Sequence, residues 1–260
     1  MRFLIDLLRP YQFKGKARLL APFAPMNQEC AARVFGFEMK LNTTDHIQRL
    51  TYLGAYMRPE TKWVRQYLKP SMCFFDVGAN IGYFTALGAR SVGPTGKVFA
   101  IEPSPVAFHR LQGWVTQNQA AWVKALNIGL ADKPCQLKLH LTKETRTNHS
   151  PSFLGPEESG VEVRVQTLDE IVEQEKVAQI DLMKFIVQGY EPAVLKGARE
   201  LIRAGKLKAL LCGMDPYWLE EAGTTAEACY ELILSLGFKA VAPRPDFAKR
   251  HFEICSFLWT

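Results

Sequence analysis

The residues best suited to chemistry lie in one stretch, Asp76-Val77-Gly78-Ala79-Asn80-Ile81-Gly82-Tyr83-Phe84-Thr85. It follows a short apolar run, Cys73–Val77, and leads into Ile81–Ser91, whose apolar residues recur at helical spacing. Glycines between a strand and a helix let backbone approach a ligand, and the helix N-terminus adds unbonded N–H donors. A dinucleotide pyrophosphate is served by G-x-G-x-x-G. Here the spacing is G-x-x-x-G, with Asn80 inside the loop and Asp76 opening it. An acid at that place repels a diphosphate and suits the ammonium of an amino-acid moiety. Glu102 closes the next apolar run in Ile101-Glu102-Pro103, where a carboxylate can accept from both hydroxyls of a ribose. An adenosyl ligand carrying an ammonium and no phosphate satisfies both acids, and S-adenosylmethionine is such a ligand.

These side chains need a scaffold that brings strand ends together. Lys97–Ile101, Trp122–Ile128, Ile180–Val187 and Leu207–Cys212 read as buried strands. Helical segments fall at about Pro105–Asn118, Glu191–Arg203 and Thr225–Leu236, and two strands around Lys239–Val241 and Glu253–Leu258 close the chain. Strands separated by helices of roughly 10–15 residues form βαβ units. The expected fold is therefore α/β: a doubly wound, mostly parallel, Rossmann-like sheet with an antiparallel C-terminal strand. Gln136–Leu141 and Val161–Val165 alternate apolar and polar residues and predict an antiparallel insert, with a polar loop at 142–160 between them. Residues 1–70 read as a basic, N-terminal helical extension, and 71–260 as the ligand-binding domain.

Composition narrows the function classes. With 48% hydrophobic and 22% charged residues, the chain is globular rather than disordered. Thirty-two basic and 26 acidic residues leave +6, which permits a nucleic-acid, membrane or anionic partner without choosing among them. No ribonucleoprotein, helix–turn–helix or zinc pattern is present, so a nucleic-acid partner is not expected. Apolar residues in Met1–Pro10 are interrupted by Asp6 and Arg9, unlike a secretory leader, and no apolar run reaches the roughly 18 residues of a transmembrane segment. Six cysteines without a C-x-x-C pair, and five histidines without ligand spacing, predict reduced thiols, no metal and a cytoplasmic location. A homo-oligomer stays open.

Asp76–Thr85 resembles the D-V-G-A-N-I-G-Y-F-T signature of the FkbM-family methyltransferases. The resemblance runs through Ile101-Glu102-Pro103 and Asn127-Ile128-Gly129-Leu130-Ala131-Asp132 to Thr167-Leu168-Asp169-Glu170. Upstream, Asp45–Arg49 and Gly54-Ala55-Tyr56 are similar to the segment that precedes the motif, so the likeness covers roughly residues 40–240. It implies a class I fold, S-adenosylmethionine as cofactor, and O-methylation of a hydroxyl on a small molecule or glycan. The residues it places at the cofactor are Asp76, Gly78, Asn80, Gly82, Tyr83, Phe84, Thr85, Glu102, Asn127 and Asp132. Asp132 would lie near the adenine or would serve as a turn residue.

The chain departs from the family at the acceptor end. Where the family reads K-I-D-V-E-G-A-E, this chain has Lys184-Phe185-Ile186-Val187-Gln188-Gly189-Tyr190-Glu191, and Gly213 stands where a glutamate is usual. A hydroxyl acceptor must lose its proton, so a positioned base is expected. Lys184, Glu191 and Asp215 are the candidate catalytic residues that remain. Tyr83 and Tyr190 are candidates for the pocket wall, and His109 and His149 for the base. Four readings follow: a methyltransferase with a shifted acceptor class, a catalytically impaired cofactor-binding partner or regulatory protein, a nicotinamide-dependent oxidoreductase, and a nucleic-acid-modifying enzyme. The two intact acids favour the first, and the three lost carboxylates motivate the second.

Overall fold

The computed structural model describes residues 5, 7–8, 11, 13, 15–25, 28–141, 152–155 and 160–260. His149, Arg9 and most of the 142–160 loop lie outside the described residues.

The extension holds helix α1 (Lys16–Leu20), a hairpin of β1 (Glu29–Val34) and β2 (Phe37–Asn42), and helices α2 (His46–Tyr52) and α3 (Arg58–Tyr67). Helices were expected there; the hairpin is an addition. Its two-residue turn, Phe35-Gly36, has φ of 50° and 99°, the pair of positive values that matches the twist of paired strands. Phe37, Met39 and Leu41 point inward while Glu38 and Lys40 face solvent, so the period-two pattern was present in the sequence. Asp45 caps α2 by accepting from Gln48 N.

Strand β3 (Cys73–Val77) leads into α4 (Tyr83–Val92), β4 (Lys97–Ile101), α5 (Pro105–Gln117) and β5 (Val123–Leu126). Next come β6 (Gly129–Leu130), β7 (Cys135–Leu141), β8 (Ser152–Gly155) and β9 (Val161–Gln166), then α6 (Leu168–Gln174) and β10 (Leu182–Phe185). The chain finishes with α7 (Glu191–Lys196), α8 (Arg199–Arg203), β11 (Ala209–Met214), α9 (Pro216–Glu221), α10 (Ala226–Ser235), β12 (Phe238–Ala240) and β13 (Glu253–Trp259). The one helix expected over Glu191–Arg203 is two, broken at Gly197-Ala198. A Cβ on Gly197 would lie 2.1 Å from the Ala131 oxygen, so the helix passes there at backbone contact.

Seven strands form the main sheet in the order β12-β13-β11-β10-β3-β4-β5, with β13 antiparallel between β11 and β12. The order reverses at β3, and β10 and β4 pair parallel to it on either side. Ligands of such sheets bind outside the C-terminal strand ends at that reversal. Strands β3, β10 and β11 are buried along their whole length, as expected where helices cover both faces. Alternate residues serve opposite faces. Phe74, Leu182 and Leu211 pack with α4, α5 and the N-terminal elements, whereas Phe75, Met183 and Phe185 pack with α6, α7, α8 and α10. The antiparallel insert is present as β7 against β9, within a second sheet ordered β6-β9-β7-β8. No helix among the described residues is long and apolar enough to cross a membrane.

Candidate functional site

A cleft opens over the ends of β3, β4 and β10. The loop residues Gly78–Ile81 line it, with Tyr83, Phe84, Glu102, Lys184 and the 186–188 segment. Of the residues expected at the cofactor, Gly78, Asn80, Tyr83, Phe84 and Glu102 face this cleft, and Asp76, Gly82, Thr85, Asn127 and Asp132 do not line it.

Glu102 is the acid that the cleft presents. Its Oε2 accepts from Asn80 N at 2.7 Å and its Oε1 from Ser104 N at 2.8 Å. Each oxygen keeps a second lone pair for a hydroxyl donor. Burial pushes the carboxyl up to about 7, against the pull of the two backbone donors and Lys184. Asn127 works one step removed: its Nδ2 donates to the backbone oxygens of Glu102 and Pro103 and holds the chain that carries the acid. Asp132 is exposed beyond β6.

Asp76 differs from expectation. It is fully buried, accepts from Thr85 Oγ1 at 2.6 Å and faces Lys184 Nζ at 3.0 Å. The carboxylate is therefore committed to the protein rather than offered to a ligand ammonium. The reason lies in strand adjacency: β10 runs parallel beside β3, and Lys184 is the register partner of Asp76. Lys184 Nζ also donates to the Val77 and Gly78 oxygens at 3.2 and 2.8 Å, so the lysine clamps the start of the glycine loop.

The glycines also act differently from expectation. Gly78 and Gly82 have φ of 71° and 89°, which disfavours a side chain. The space each leaves faces protein, not the cleft. A Cβ at Gly78 would lie 2.2 Å from the Ile186 oxygen, and one at Gly82 would lie 2.6 Å from Leu111 and 2.7 Å from Trp114. They permit close packing of the loop on β10 and α5.

The segment after β10 is built by Glu191. Its Oε1 accepts from Val187 N and its Oε2 from Gly189 N, both at 2.8 Å. Those bonds hold a sharp turn in which Gln188 and Gly189 have φ of 53° and 95°. Burial pushes the Glu191 carboxyl up to about 7. Asp215 is the N-cap of α9 and accepts from Tyr217 N. Glu191 and Asp215 are thus turned to backbone amides and neither lines the cleft; of the three candidate catalytic residues only Lys184 does. Tyr190 packs against the second sheet, and His109 is exposed on α5. The glutamate that the family carries at 213 has no room here. A Cβ on Gly213 would meet Ile186 Cγ1 at 2.7 Å and Cγ2 at 2.9 Å.

The sequence reading missed Ile47 and Tyr56, which line the cleft from the extension, and Leu130 and Leu139, which line it from the second sheet. Ile47, Tyr56 and Leu130 all sit in segments that resemble the family, which was the available signal; Leu139 had none. Tyr83 Oη lies 2.9 Å from Thr61 Oγ1 and 3.1 Å from the Tyr56 oxygen, and the two tyrosine rings meet edge to face. Burial pushes the Tyr83 hydroxyl up to about 12 and also raises the Tyr56 hydroxyl. All six cysteines are free thiols, and no metal-holding group of side chains occurs among the described residues.

The lining fits an adenosyl ligand without phosphate. It offers Glu102 as a two-oxygen acceptor at the end of β4, apolar walls from Ile101, Pro103 and Leu130, and the uncapped N-terminus of α4.

Among solved structures, the chain is similar to an FkbM methyltransferase from Methylobacillus flagellatus KT, with 19% identity and a TM-score of 0.49. The match covers 83% of this chain and 55% of that one, so the chain spans little more than half of that protein's length. A fibrillarin from Aeropyrum pernix, crystallised with natively bound S-adenosyl-L-methionine, matches at 11% identity and a TM-score of 0.47, over 92% of this chain and 86% of that one. An rRNA methylase from Streptococcus thermophilus matches at 10% identity and 0.47, over 77% and 94%. No curated protein matches the chain. The family model described as the methyltransferase FkbM domain matches residues 76–240, from the first acid of the glycine loop to the end of β12. With the motif, the strand order and Glu102 in place, the chain belongs to the FkbM methyltransferase domain family, whose members use S-adenosylmethionine.

Proposed function

We propose that this chain binds S-adenosylmethionine in the cleft and methylates a hydroxyl of a small molecule or glycan. Residues 71–260 form the methyltransferase domain in this reading, and the 1–70 extension closes one side of the cleft through Ile47 and Tyr56. The observation that carries it is Glu102, which lines the cleft at the end of β4 and is held there by Asn80 N and Ser104 N. Glu102 would accept from the ribose hydroxyls, and Ile101 and Leu130 would flank the adenine. When bound, the cofactor supplies a methyl group on a positively charged sulfur that departs as a neutral thioether, so no acid is required. The chain's own task is to hold the acceptor at roughly 3–3.5 Å in line with that methyl and to take up its proton. Tyr56 and Tyr83, which line the cleft, would orient a hydroxyl, while Lys184 is held by Asp76.

A second reading, a cofactor-binding partner that does not catalyse, is favoured by one observation: Ile186 fills the place of a carboxylate and blocks a second at Gly213. Calorimetric titration with S-adenosylmethionine tests what the two readings share; no heat up to about 100 μM ligand sinks both. Incubation with methyl-labelled cofactor and a cell extract separates them. A labelled product that vanishes in Glu102→Ala establishes transfer, and its absence from a cofactor-binding wild type establishes the second reading.

A further inference from the structure

Helix α3 carries a charge pattern that the cofactor cleft does not use. Arg58, Lys62 and Arg65 stand at i, i+4 and i+7, a single helix face, and line a groove with Thr61 and Gln66. Glu60, the one acid of this helix, does not line the groove. No carboxylate pairs with the three bases among the described residues. Bases elsewhere do pair: Arg110 with Glu29, Lys124 with Glu175, Arg250 with Glu220, and Arg244 with both Glu227 and Glu231. Like charges one turn apart destabilise a helix, so this face carries a repulsion that an anionic ligand would relieve. Arg58 Nη1 donates to the Phe13 oxygen at 2.7 Å, which fixes the guanidinium, yet its buried Nε has no acceptor. Arg65 lies over the Phe35 ring at 5.6 Å.

The groove and the cleft share a wall. Thr61 lines the groove, Tyr56 and Tyr83 line the cleft, and Tyr83 Oη is 2.9 Å from Thr61 Oγ1. We propose that the Arg58–Lys62–Arg65 groove binds a phosphate ester of the acceptor, anchoring it beside the methyl-transfer cleft. This rests on the methyltransferase reading. A phosphate monoester or diphosphate carries enough charge to engage three cations, and its oxygens suit the planar donor fork of arginine. A single carboxylate would leave most of that charge unmatched.

The test uses the full chain with inorganic pyrophosphate as probe, titrated calorimetrically at about 50 mM salt, where phosphate contacts are strong. The variant is Lys62→Gln with Arg65→Gln. Both side chains are exposed and neither lines the cofactor cleft, so S-adenosylmethionine affinity is the folding control. Wild-type binding that weakens about tenfold or more in the variant, with cofactor affinity unchanged, supports the site. A twelve-residue RNA distinguishes the source of the phosphate. RNA bound about 100-fold more tightly than pyrophosphate, with steep salt dependence, assigns a nucleic-acid backbone; RNA bound no more tightly assigns a small phosphorylated acceptor. Failure of the wild type to bind either probe, or equal binding by the variant, overturns the proposal. Cofactor binding retained in that case leaves the methyltransferase reading standing, whereas its loss in the wild type removes that reading itself.

Discussion

Replacing Gly213 by alanine tests whether the two departures from the family at the acceptor end are one packing event. Gly213 lies in β11, outside the left-handed region, so alanine meets no backbone penalty and should gain about 0.4–1 kcal/mol from a less flexible unfolded chain. Against this, its Cβ would stand 2.7 Å from Ile186 Cγ1, 2.9 Å from Cγ2 and 3.2 Å from Cβ, where contact begins at about 3.5 Å. Three atoms of a stiff β-branched side chain cannot all withdraw, and overpacking of this kind costs about 1–3 kcal/mol. The net expectation is a loss of about 1–2 kcal/mol, read as a fall of about 0.5 M in the urea midpoint. Ile186→Ala alone removes half-buried apolar surface and should cost about 1–2 kcal/mol. In the double variant the alanine methyl enters the vacated space, so the combined loss should fall short of the sum by about 1–2 kcal/mol. Additivity within about 0.5 kcal/mol would refute the interlock. A carboxylate at 213 should likewise be tolerated only once Ile186 has been shortened.

Glu102 couples the cofactor to pH. With its carboxyl at about 7, the ionised fraction rises about tenfold between pH 6 and 8, so the dissociation constant for S-adenosylmethionine should fall about tenfold over that interval and stay flat in Glu102→Gln. Stability moves the other way. Glu102 and Glu191 are both raised from 4.5 to about 7 by burial, so their contribution is complete below pH 4.5 and is lost as pH rises through about 7. Urea unfolding at pH 5 and 7.5 should show a shallower decline in Glu191→Gln than in the wild type. Lys184→Met leaves the fully buried Asp76 with only the Thr85 hydroxyl; the cost should be about 3–5 kcal/mol, a fall of roughly 10 °C in Tm, and adding Asp76→Asn should recover much of it.

The glycine-loop motif, Glu102 and the strand–helix alternation were legible because each is local. Apolar periodicity, glycine spacing and an acid at a strand end are set by neighbours in the chain. The antiparallel insert follows from the same short-range rules. The hairpin of the extension is written in the alternation of Phe37–Leu41, between segments with helical signals.

What the residues do to one another was settled by tertiary structure. Asp76 and Lys184 both stand out in the sequence, yet only the pairing of β3 with β10 makes them partners and withdraws the acid from the cleft. Gly78 and Gly82 are spaced as ligand-binding glycines, but the atoms behind them belong to Ile186, Leu111 and Trp114. Ile186 and Gly213 read as separate losses and are a single contact between neighbouring strands. The physical reason is the same in each case. Period and propensity act over a few residues and are written along the chain, whereas a buried charge or a missing Cβ takes its meaning from atoms that only the assembled sheet brings near.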